Sequence, residues 1–297
     1  MDWSLPDYKS QTSEVRARFE ALKARPVMLD VQGLGKVFPS RKKSETVLKD
    51  IGFQVHRREF LSIIGPSGCG KSTLIRIVAG LEQASSGTVK LENTPVEGPG
   101  PDRGMVFQNY SLFPWQTVLG NVRFPLILQG HGASIAEAEA RTWIDIVGLA
   151  DYEEYYPSQL SGGMRQRVAI ARALAAKPKV LLMDEPFGAL DAQTRSKMQA
   201  YLLEIWRKVD VTVLFITHDL DEAVFLSDRI LVLKAHPGEV QELIEVPLPQ
   251  PRNSAHTLTP EFLAVRRRLD ELIHPQGDDD AEKFEMLRLA PAGDEVL

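Results

Sequence analysis

The sequence predicts an α/β fold built around a largely parallel β-sheet. Short apolar runs without polar alternation recur along the middle of the chain, and strands buried on both faces of a parallel sheet have this composition. Helical patterns fall between several of the runs, as strand–helix–strand units require. The strands expected from these runs are Phe60–Ile64, Met105–Phe107, Val180–Met183, Val213–Ile216 and Ile230–Leu233.

The composition is that of an ordinary soluble globular chain. Its 297 residues are 43% hydrophobic and 25% charged, and a net charge of −5 without a basic stripe argues against a nucleic-acid partner. The sequence has no run of about 18 apolar residues and no secretory pattern at its start. A single cysteine, Cys69, cannot form an internal disulfide. We therefore expect a cytosolic chain that meets a membrane only through a partner.

The first 26 residues differ in composition from the middle of the chain. Residues 1–26 are mostly polar and are expected to form a loosely docked N-terminal arm. Within the arm, Ser13 is predicted to cap a short helix that ends by Pro26. One face of that helix would carry Val15, Phe19 and Leu22.

Residues 247–297 form a third segment, which begins with the proline-rich linker Pro247–Pro251 and ends in an acidic tail at Asp278–Asp280. Between them, Thr259 is expected to start a helix with Pro260 at its first position. The apolar face of this helix is predicted to pack on the chain's own surface, with a partner chain or a regulator as alternatives. That face consists of Phe262, Val265, Leu269 and Leu272.

Residues 110–160 have a helical pattern instead of the alternating pattern around them. Ser134 and Glu137 have the spacing of a capping box, and the apolar residues Ile144 and Val147 follow. We predict that this stretch is a helical insertion in the α/β core.

A phosphate-binding loop follows the first core strand, where residues 65–72 match the pattern G-x-x-x-x-G-K-[ST]. Its glycines let backbone N–H groups turn toward phosphate oxygens, and the positive end of the following helix faces the anion. Lys71 can reach the outer phosphates, and the Ser72 hydroxyl can hold Mg²⁺. The residues expected to bind nucleotide here are Gly65, Pro66, Ser67, Gly68, Cys69, Gly70, Lys71, Ser72 and Thr73.

Polar residues stand at the ends of three further strands: Gln108, the pair Asp184-Glu185, and His218. Parallel sheets bind ligands beyond the carboxyl ends of their strands, so these side chains should converge on the loop. Taken singly, an acidic pair is as readily a solvated turn, and a histidine is usually structural. The group as a whole predicts a reaction, with Asp184 holding Mg²⁺ through water and Glu185 polarising the attacking water.

Residues 160–166 distinguish this chain from other phosphate-loop enzymes. Ser161-Gly162-Gly163 precedes an apolar helix pattern and, taken alone, is simply a capped helix start. With the other motifs in their order, residues 27–246 resemble the ABC transporter ATPase family. The other matching motifs are the phosphate loop, Phe107-Gln108, Asp184-Glu185, Ala189-Leu190-Asp191 and Thr217-His218-Asp219.

The resemblance implies a RecA-like core with a small β subdomain and a helical subdomain at about residues 110–165. It implies ATP and Mg²⁺ as cofactors, with Ser72, Gln108 and Asp184 at the metal. Glu185, His218, Gln108 and Lys71 would be the catalytic groups, and His218 would contact the γ-phosphate.

Other residues receive a role from the same resemblance. Phe38 would stack on adenine, at a position where the family more often has tyrosine. Ser161, Gly162 and Gly163 would face the γ-phosphate bound by a second ATPase subunit, and Asp191 would cross the dimer interface. Gly188 stands where the family commonly has serine.

The segment Leu112-Phe113-Pro114-Trp115 resembles importers of nitrate, sulfonate, taurine and bicarbonate. The resemblance implies an ATP hydrolase coupled to transport, transmembrane permease subunits, an external solute-binding protein and a place at the cytoplasmic face of the membrane. The turn Pro237-Gly238 also fits this group, although Glu239 replaces the usual arginine. Import of a pyrimidine precursor, export, and a non-transport ABC ATPase remain alternatives.

Overall fold

The computed structural model describes residues 5–39 and 44–274. Residues 1–4 of the arm and the acidic run Asp278–Asp280 lie outside this part. The described helices are α1 (Ser13–Lys23), α2 (Lys71–Val78), α3 (Val118–Leu128), α4 (Ala133–Ile146), α5 (Gly162–Ala175), α6 (Ala192–Lys208), α7 (Leu220–Leu226) and α8 (Pro260–Ile273). None of them is long and apolar enough to span a bilayer.

The described strands form two sheets with different connectivity. They are β1 (Val27–Phe38), β2 (Glu45–His56), β3 (Phe60–Ile64), β4 (Ser86–Leu91), β5 (Thr94–Pro95), β6 (Arg103–Val106), β7 (Val180–Asp184), β8 (Thr212–Ile216), β9 (Arg229–Lys234) and β10 (Glu239–Glu245). The main sheet has the order β10-β9-β3-β8-β7-β6, and the smaller antiparallel sheet has the order β2-β1-β4-β5.

The predicted parallel sheet is confirmed. The strands from β9 to β6 pair in parallel, and only β10 joins this sheet antiparallel. All five residues of β3, β7 and β8 are buried, as their apolar composition predicted. The predicted bounds are correct for β3 and differ elsewhere: β6 ends at Val106 before Phe107, and β7 continues to Asp184.

Alternate residues of the main sheet enter two separate cores. In β7, Leu181 and Met183 join the core that contains the packed faces of α3 to α8. Val180 and Leu182 of the same strand join the other core, which contains α2 and the smaller sheet. Since side chains alternate along a strand, one apolar run supplies both cores.

The helices between β6 and β7 include α3 and α4, where helical structure was predicted. The predicted capping box at Ser134 is wrong, because α4 begins at Ala133 and Gly132 is its N-cap residue. Ser134 therefore lies inside the first turn. Gly130 follows α3 with a φ of 84°, and the chain changes direction there. After this turn, α4 begins one residue before Ser134.

The prediction of a loosely docked arm is wrong for its described residues. The apolar side chains of α1 are almost completely buried: Val15 and Phe19 are each 2% exposed. The guanidinium of Arg18 donates hydrogen bonds to the carbonyl oxygens of Leu248 (2.8 Å) and Val246 (3.3 Å). The N-cap is Thr12 rather than Ser13, since the Thr12 hydroxyl accepts from the Val15 N–H at 3.3 Å.

The C-terminal segment packs on the chain itself, as predicted. Thr259 caps α8, and Phe262, Val265 and Leu269 are buried in the core shared with α7. The proline-rich stretch that precedes it is more than a linker, because Leu248 within it is only 1% exposed. This stretch covers the core, and its Leu248 carbonyl accepts a hydrogen bond from Arg18 of α1.

We predict that Phe19→Ala loosens the arm. Removing a buried phenyl ring costs about 3 kcal/mol or more, so local opening of α1 should become about a hundredfold more frequent. Limited trypsin digestion should then cut at Lys23 about a hundredfold faster than in the wild type. Glu20→Ala, an exposed position on the same helix, is the control and should leave the rate unchanged. Equal cleavage rates for the two variants would contradict a docked arm.

Candidate functional site

The phosphate-binding loop connects the carboxyl end of β3 to the start of α2. Gly70 is the N-cap of α2 with a φ of 94°, a conformation that residues with a side chain rarely adopt. A Cβ atom on Gly70 would lie 2.6 Å from Cδ2 of Leu48. No side chain caps α2, so its first N–H groups remain for an anion.

Lys71 is held within the loop, where its side chain is nearly buried at 8% exposure. Its Nζ donates to the carbonyl oxygens of Gly65 (2.7 Å) and Pro66 (3.0 Å). Cys69 is fully buried beside it, and burial raises the pKa of the thiol. A protonated, buried thiol agrees with a space-filling loop residue.

The structure brings the predicted strand-end residues together at one edge of the main sheet. The Ser72 hydroxyl donates to Oδ1 of Asp184 at 3.2 Å. Oε2 of Glu185 lies 3.1 Å from Nδ1 of His218 and 3.5 Å from Nε2 of Gln108. Because β3, β8, β7 and β6 are successive neighbours, their carboxyl ends place these five side chains beside the loop.

Glu185 has a strained backbone. Its φ of 45° lies in the left-handed region, and its N–H donates to the carbonyl of Ile216 at 3.0 Å. This conformation costs about 1–3 kcal/mol in a residue with a side chain. The turn that follows β7 therefore directs the Glu185 carboxylate toward His218. The packing of the surrounding strands stabilises this unfavourable backbone conformation.

Asp184 has the environment of a cation ligand. Burial raises the pKa of its carboxyl, and the neighbouring Glu185 raises it further, while the Ser72 hydroxyl, Arg76 and Lys71 act in the opposite direction. A buried carboxylate next to another acid is stabilised by a divalent cation. A carboxylate and a hydroxyl are hard oxygen donors of the kind that Mg²⁺ prefers, so these residues fit that ion.

The signature residues form a second group on the same chain. Ser161 caps α5 by accepting from the Met164 N–H at 3.3 Å, and Asp191 caps α6 by accepting from the Thr194 N–H at 3.0 Å. The two helix starts touch, since a Cβ on Gly163 would lie 2.9 Å from Cγ2 of Thr194. Neither Ser161 nor Asp191 is hydrogen-bonded to a loop residue within the described part of the chain.

Phe38 ends the strand β1 and is 36% exposed, with the ammonium of Lys36 lying 4.6 Å from its ring centroid. It pairs with Glu45 of β2. The same strand continues to Leu48, which contacts Gly70. Phe38 therefore lies on the hairpin that reaches the phosphate loop.

Sequence reasoning missed a support of the loop in the turn between β9 and β10. A Cβ on Gly238 would lie 2.1 Å from the carbonyl oxygen of Cys69, so this turn presses against the loop. The Gly238 carbonyl also accepts from the Lys49 N–H at 2.9 Å. In the sequence, the turn Pro237-Gly238 stood out only for its resemblance to the importer group, and its contact with the loop was not predicted.

The fold and the residues gathered at the phosphate loop are those of a phosphate-loop nucleotide hydrolase. Residues 48–188 match the ABC transporter family. The chain is 46% identical to the nitrate import ATP-binding protein NrtD of Synechocystis sp. over 260 residues, which cover 86% of this chain and 98% of that protein. It is 47% identical to the aliphatic sulfonates import ATP-binding protein SsuB of Bacillus subtilis over 234 residues, 79% of this chain and 89% of that one.

A solved structure has the same fold. The dimeric, post-hydrolysis ATP-binding cassette MJ0796, bound to ADP and Pi, matches with a TM-score of 0.66 and 32% identity over 73% of this chain and 98% of that chain. The chain described here belongs to the ABC transporter ATP-binding family. It is an ATP hydrolase coupled to transport.

We predict that Gly70→Ala weakens ATP binding at least tenfold and lowers the Tm. The alanine would have to adopt the left-handed region, which costs about 1–2 kcal/mol, and its Cβ would displace Leu48. Gly132→Ala is the matched control, because a Cβ there meets nothing within 4 Å. Equilibrium binding of a fluorescent ATP analogue and thermal unfolding measure both effects. Unchanged affinity in Gly70→Ala would show that the loop tolerates a side chain there.

Proposed function

We propose that this chain energises the import of a small anionic solute of the nitrate, sulfonate, taurine or bicarbonate type. The similarity to a nitrate import subunit over 98% of that protein's length carries the proposal. The similarity to a sulfonate import subunit supports the same class of solute. Import of a pyrimidine precursor and export are the alternatives that the same cassette could serve.

The segment after Gln108 supports a membrane partner. Trp115 is 71% exposed, and its ring lies 5.6 Å from that of Phe113. Phe113 is anchored in turn by Phe124 of α3, at 4.7 Å between ring centroids, and by Arg172 of α5 at 5.4 Å. We place the permease subunits against this fixed aromatic surface. The chain is then a peripheral subunit at the cytoplasmic face of the membrane, and an external binding protein delivers the solute.

The hydrolytic step uses the residues at the carboxyl edge of the sheet. Lys71 offsets part of the phosphate charge, the N–H groups of the loop donate hydrogen bonds to phosphate oxygens, and Phe38 stacks on the adenine. Glu185 orients the attacking water, with His218 and Gln108 holding its carboxylate in place. Ser72, Asp184 and Gln108 would hold Mg²⁺, which would supply positive charge beside the phosphate oxygens.

We further propose that each site is completed by a second chain. Lys71 and Ser161 stand at separate phosphate-type helix starts, and their hydrogen bonds in one chain do not join them. A facing chain would bring Ser161 and Gly163 to the γ-phosphate and Asp191 to the interface. The dimeric cassette MJ0796 supports this arrangement.

The function is tested with the whole transporter in vesicles. Glu185→Gln should lower ATP hydrolysis at least about a hundredfold, the scale of a positioned catalytic group, while ATP still binds. Uptake of labelled nitrate, taurine and bicarbonate should be lost in parallel. Glu204→Gln, an exposed position on α6, is the control and should retain both activities. Wild-type hydrolysis without uptake of any of these anions would exclude the proposed cargo and leave the ATPase intact.

The shared site is tested by mixing two inactive variants. In a mixed dimer of Lys71→Ala and Ser161→Ala chains, one site carries both defects, and the other pairs an intact Lys71 with an intact Ser161. That site should occlude ATP, measured as nucleotide retained on the separated dimer. Dimers of either variant alone should retain none. Verified mixed dimers that fail to retain ATP would contradict a site shared between chains.

A further inference from the structure

A second cavity lies at the edge of the main sheet opposite to the nucleotide site. Its volume is about 870 Å³, within the range of small-molecule sites. Arg58 precedes β3, Asp210 precedes β8 and Asp228 precedes β9, so its floor is built at the amino ends of three parallel strands. Residues of the helix α1 and of the stretch at Gln250 complete its lining, and the cavity is partly open to solvent.

This cavity is positively charged. Five guanidinium groups line it against two carboxylates, a difference of three positive charges in a chain whose net charge is −5. The two carboxylates belong to Asp210 and Asp228. The guanidinium groups belong to Arg18, Arg25, Arg57, Arg58 and Arg207.

The two acids offset only part of this positive charge. Asp210 pairs with Arg57, whose Nε lies 3.2 Å from Oδ1. Asp228 is 4% exposed, accepts from the Phe60 N–H at 3.1 Å and attracts Arg18 electrostatically. Two carboxylates therefore face five guanidinium groups, and an excess of positive charge remains.

The other arginines donate to backbone carbonyls. Arg58 donates to the carbonyl of Arg207 at 2.8 Å, and Arg25 donates to the carbonyls of Arg57 and Arg58, each at 3.3 Å. Carbonyl oxygens satisfy N–H groups without cancelling their charge, so the cavity retains its positive potential.

Several buried polar atoms of the lining have no hydrogen-bond partner in the described part of the chain. They are Nε of Arg18, the indole Nε1 of Trp206 and both amide atoms of Gln250. Burial also lowers the pKa of Arg18, and the acids Asp228, Glu14 and Glu245 only partly oppose this effect. Unpartnered buried donors and desolvated cations are costly, and a bound anion with acceptor oxygens reduces the cost for N–H donors and guanidinium groups, although not for the Gln250 Oε1 acceptor.

Part of the wall is apolar. Leu22, Pro26 and Pro251 contribute to the lining beside the indole of Trp206. The Trp206 ring is fixed edge-on against Phe60, with 5.7 Å between centroids and an interplanar angle of 84°. A rigid aromatic surface next to guanidinium groups suits a ligand that has an acidic group and an apolar group.

We propose that this cavity binds a small organic anion. Its carboxylate or phosphate lies among the guanidinium groups of Arg25, Arg58 and Arg207, and its apolar part packs on Trp206. The ligand contacts α1 and the stretch at Gln250 at once, so its binding holds the arm on the core. Binding in this cavity does not depend on which solute is transported.

The test uses phenyl phosphate, benzoate and inorganic phosphate as probes in isothermal titration calorimetry at low salt. The full chain carries Lys71→Ala throughout, so that the phosphate loop does not contribute. Phenyl phosphate or benzoate should bind once per chain with a Kd of about 1 mM or tighter. Inorganic phosphate lacks the apolar part and should bind at least about tenfold more weakly.

Two adjacent residues of α6 provide a matched pair of variants. Arg207→Glu should weaken phenyl phosphate binding at least about tenfold, the effect of losing a charged hydrogen bond. Lys208→Glu, whose native side chain pairs with Glu204 outside the cavity, should bind as before. If Arg207→Glu does not fold, Arg58→Gln removes one of the same charges and should show the same loss.

A second measurement follows the arm directly. Phenyl phosphate should slow trypsin cleavage at Lys23 in the chain with an intact Arg207 and should have no effect in the variant that has lost binding. Absence of binding by both organic probes at about 10 mM would overturn the proposal. Equal affinity in the Arg207→Glu and Lys208→Glu variants would overturn it as well, and so would equal affinity for inorganic phosphate.

Discussion

Burial of both faces of the parallel sheet is the constraint on which the nucleotide site depends. In β7, alternate side chains enter the core of the helices and the core of the smaller sheet. A shift of one residue would exchange every side chain between two cores of different shape, so the register is strongly specified. With that register, Asp184 is the last residue of β7 and meets Ser72, and Glu185 begins the turn beyond it.

The features that could be predicted from the sequence are those with a local cause. Every residue of Phe60–Ile64 is apolar or small and buried, so both bounds of β3 were predicted correctly. The predicted N-cap residues of α1 and α4 were wrong, and the reason is physical. A serine favours a helix start, but the entry of the preceding chain selects among neighbouring candidates. The N-cap of α1 is therefore Thr12 instead of the expected Ser13, and the N-cap of α4 is Gly132 instead of the expected Ser134.

The features that sequence reasoning missed depend on contacts between distant residues. The arm was expected to be loose because its own composition is polar. Its docking depends on carbonyls of Val246 and Leu248, about 230 positions away from Arg18. A local sequence pattern likewise does not predict the close contact between Gly238 and Cys69 or the left-handed φ of Glu185. The division into domains and the roles of the site residues remain predictions.

The carboxyl edge collects several features that are unfavourable without a ligand. Asp184 is a desolvated carboxylate beside another acid, the first N–H groups of α2 have no side-chain cap, and Glu185 has a strained backbone. A nucleotide bound together with a cation would bring positive charge to Asp184 and acceptor oxygens to the first N–H groups of α2. The folded chain therefore gains free energy on binding nucleotide that an unfolded chain cannot gain. The two cores provide the stability that maintains these features in the absence of nucleotide, so packing supports the hydrogen bonds that organise the site.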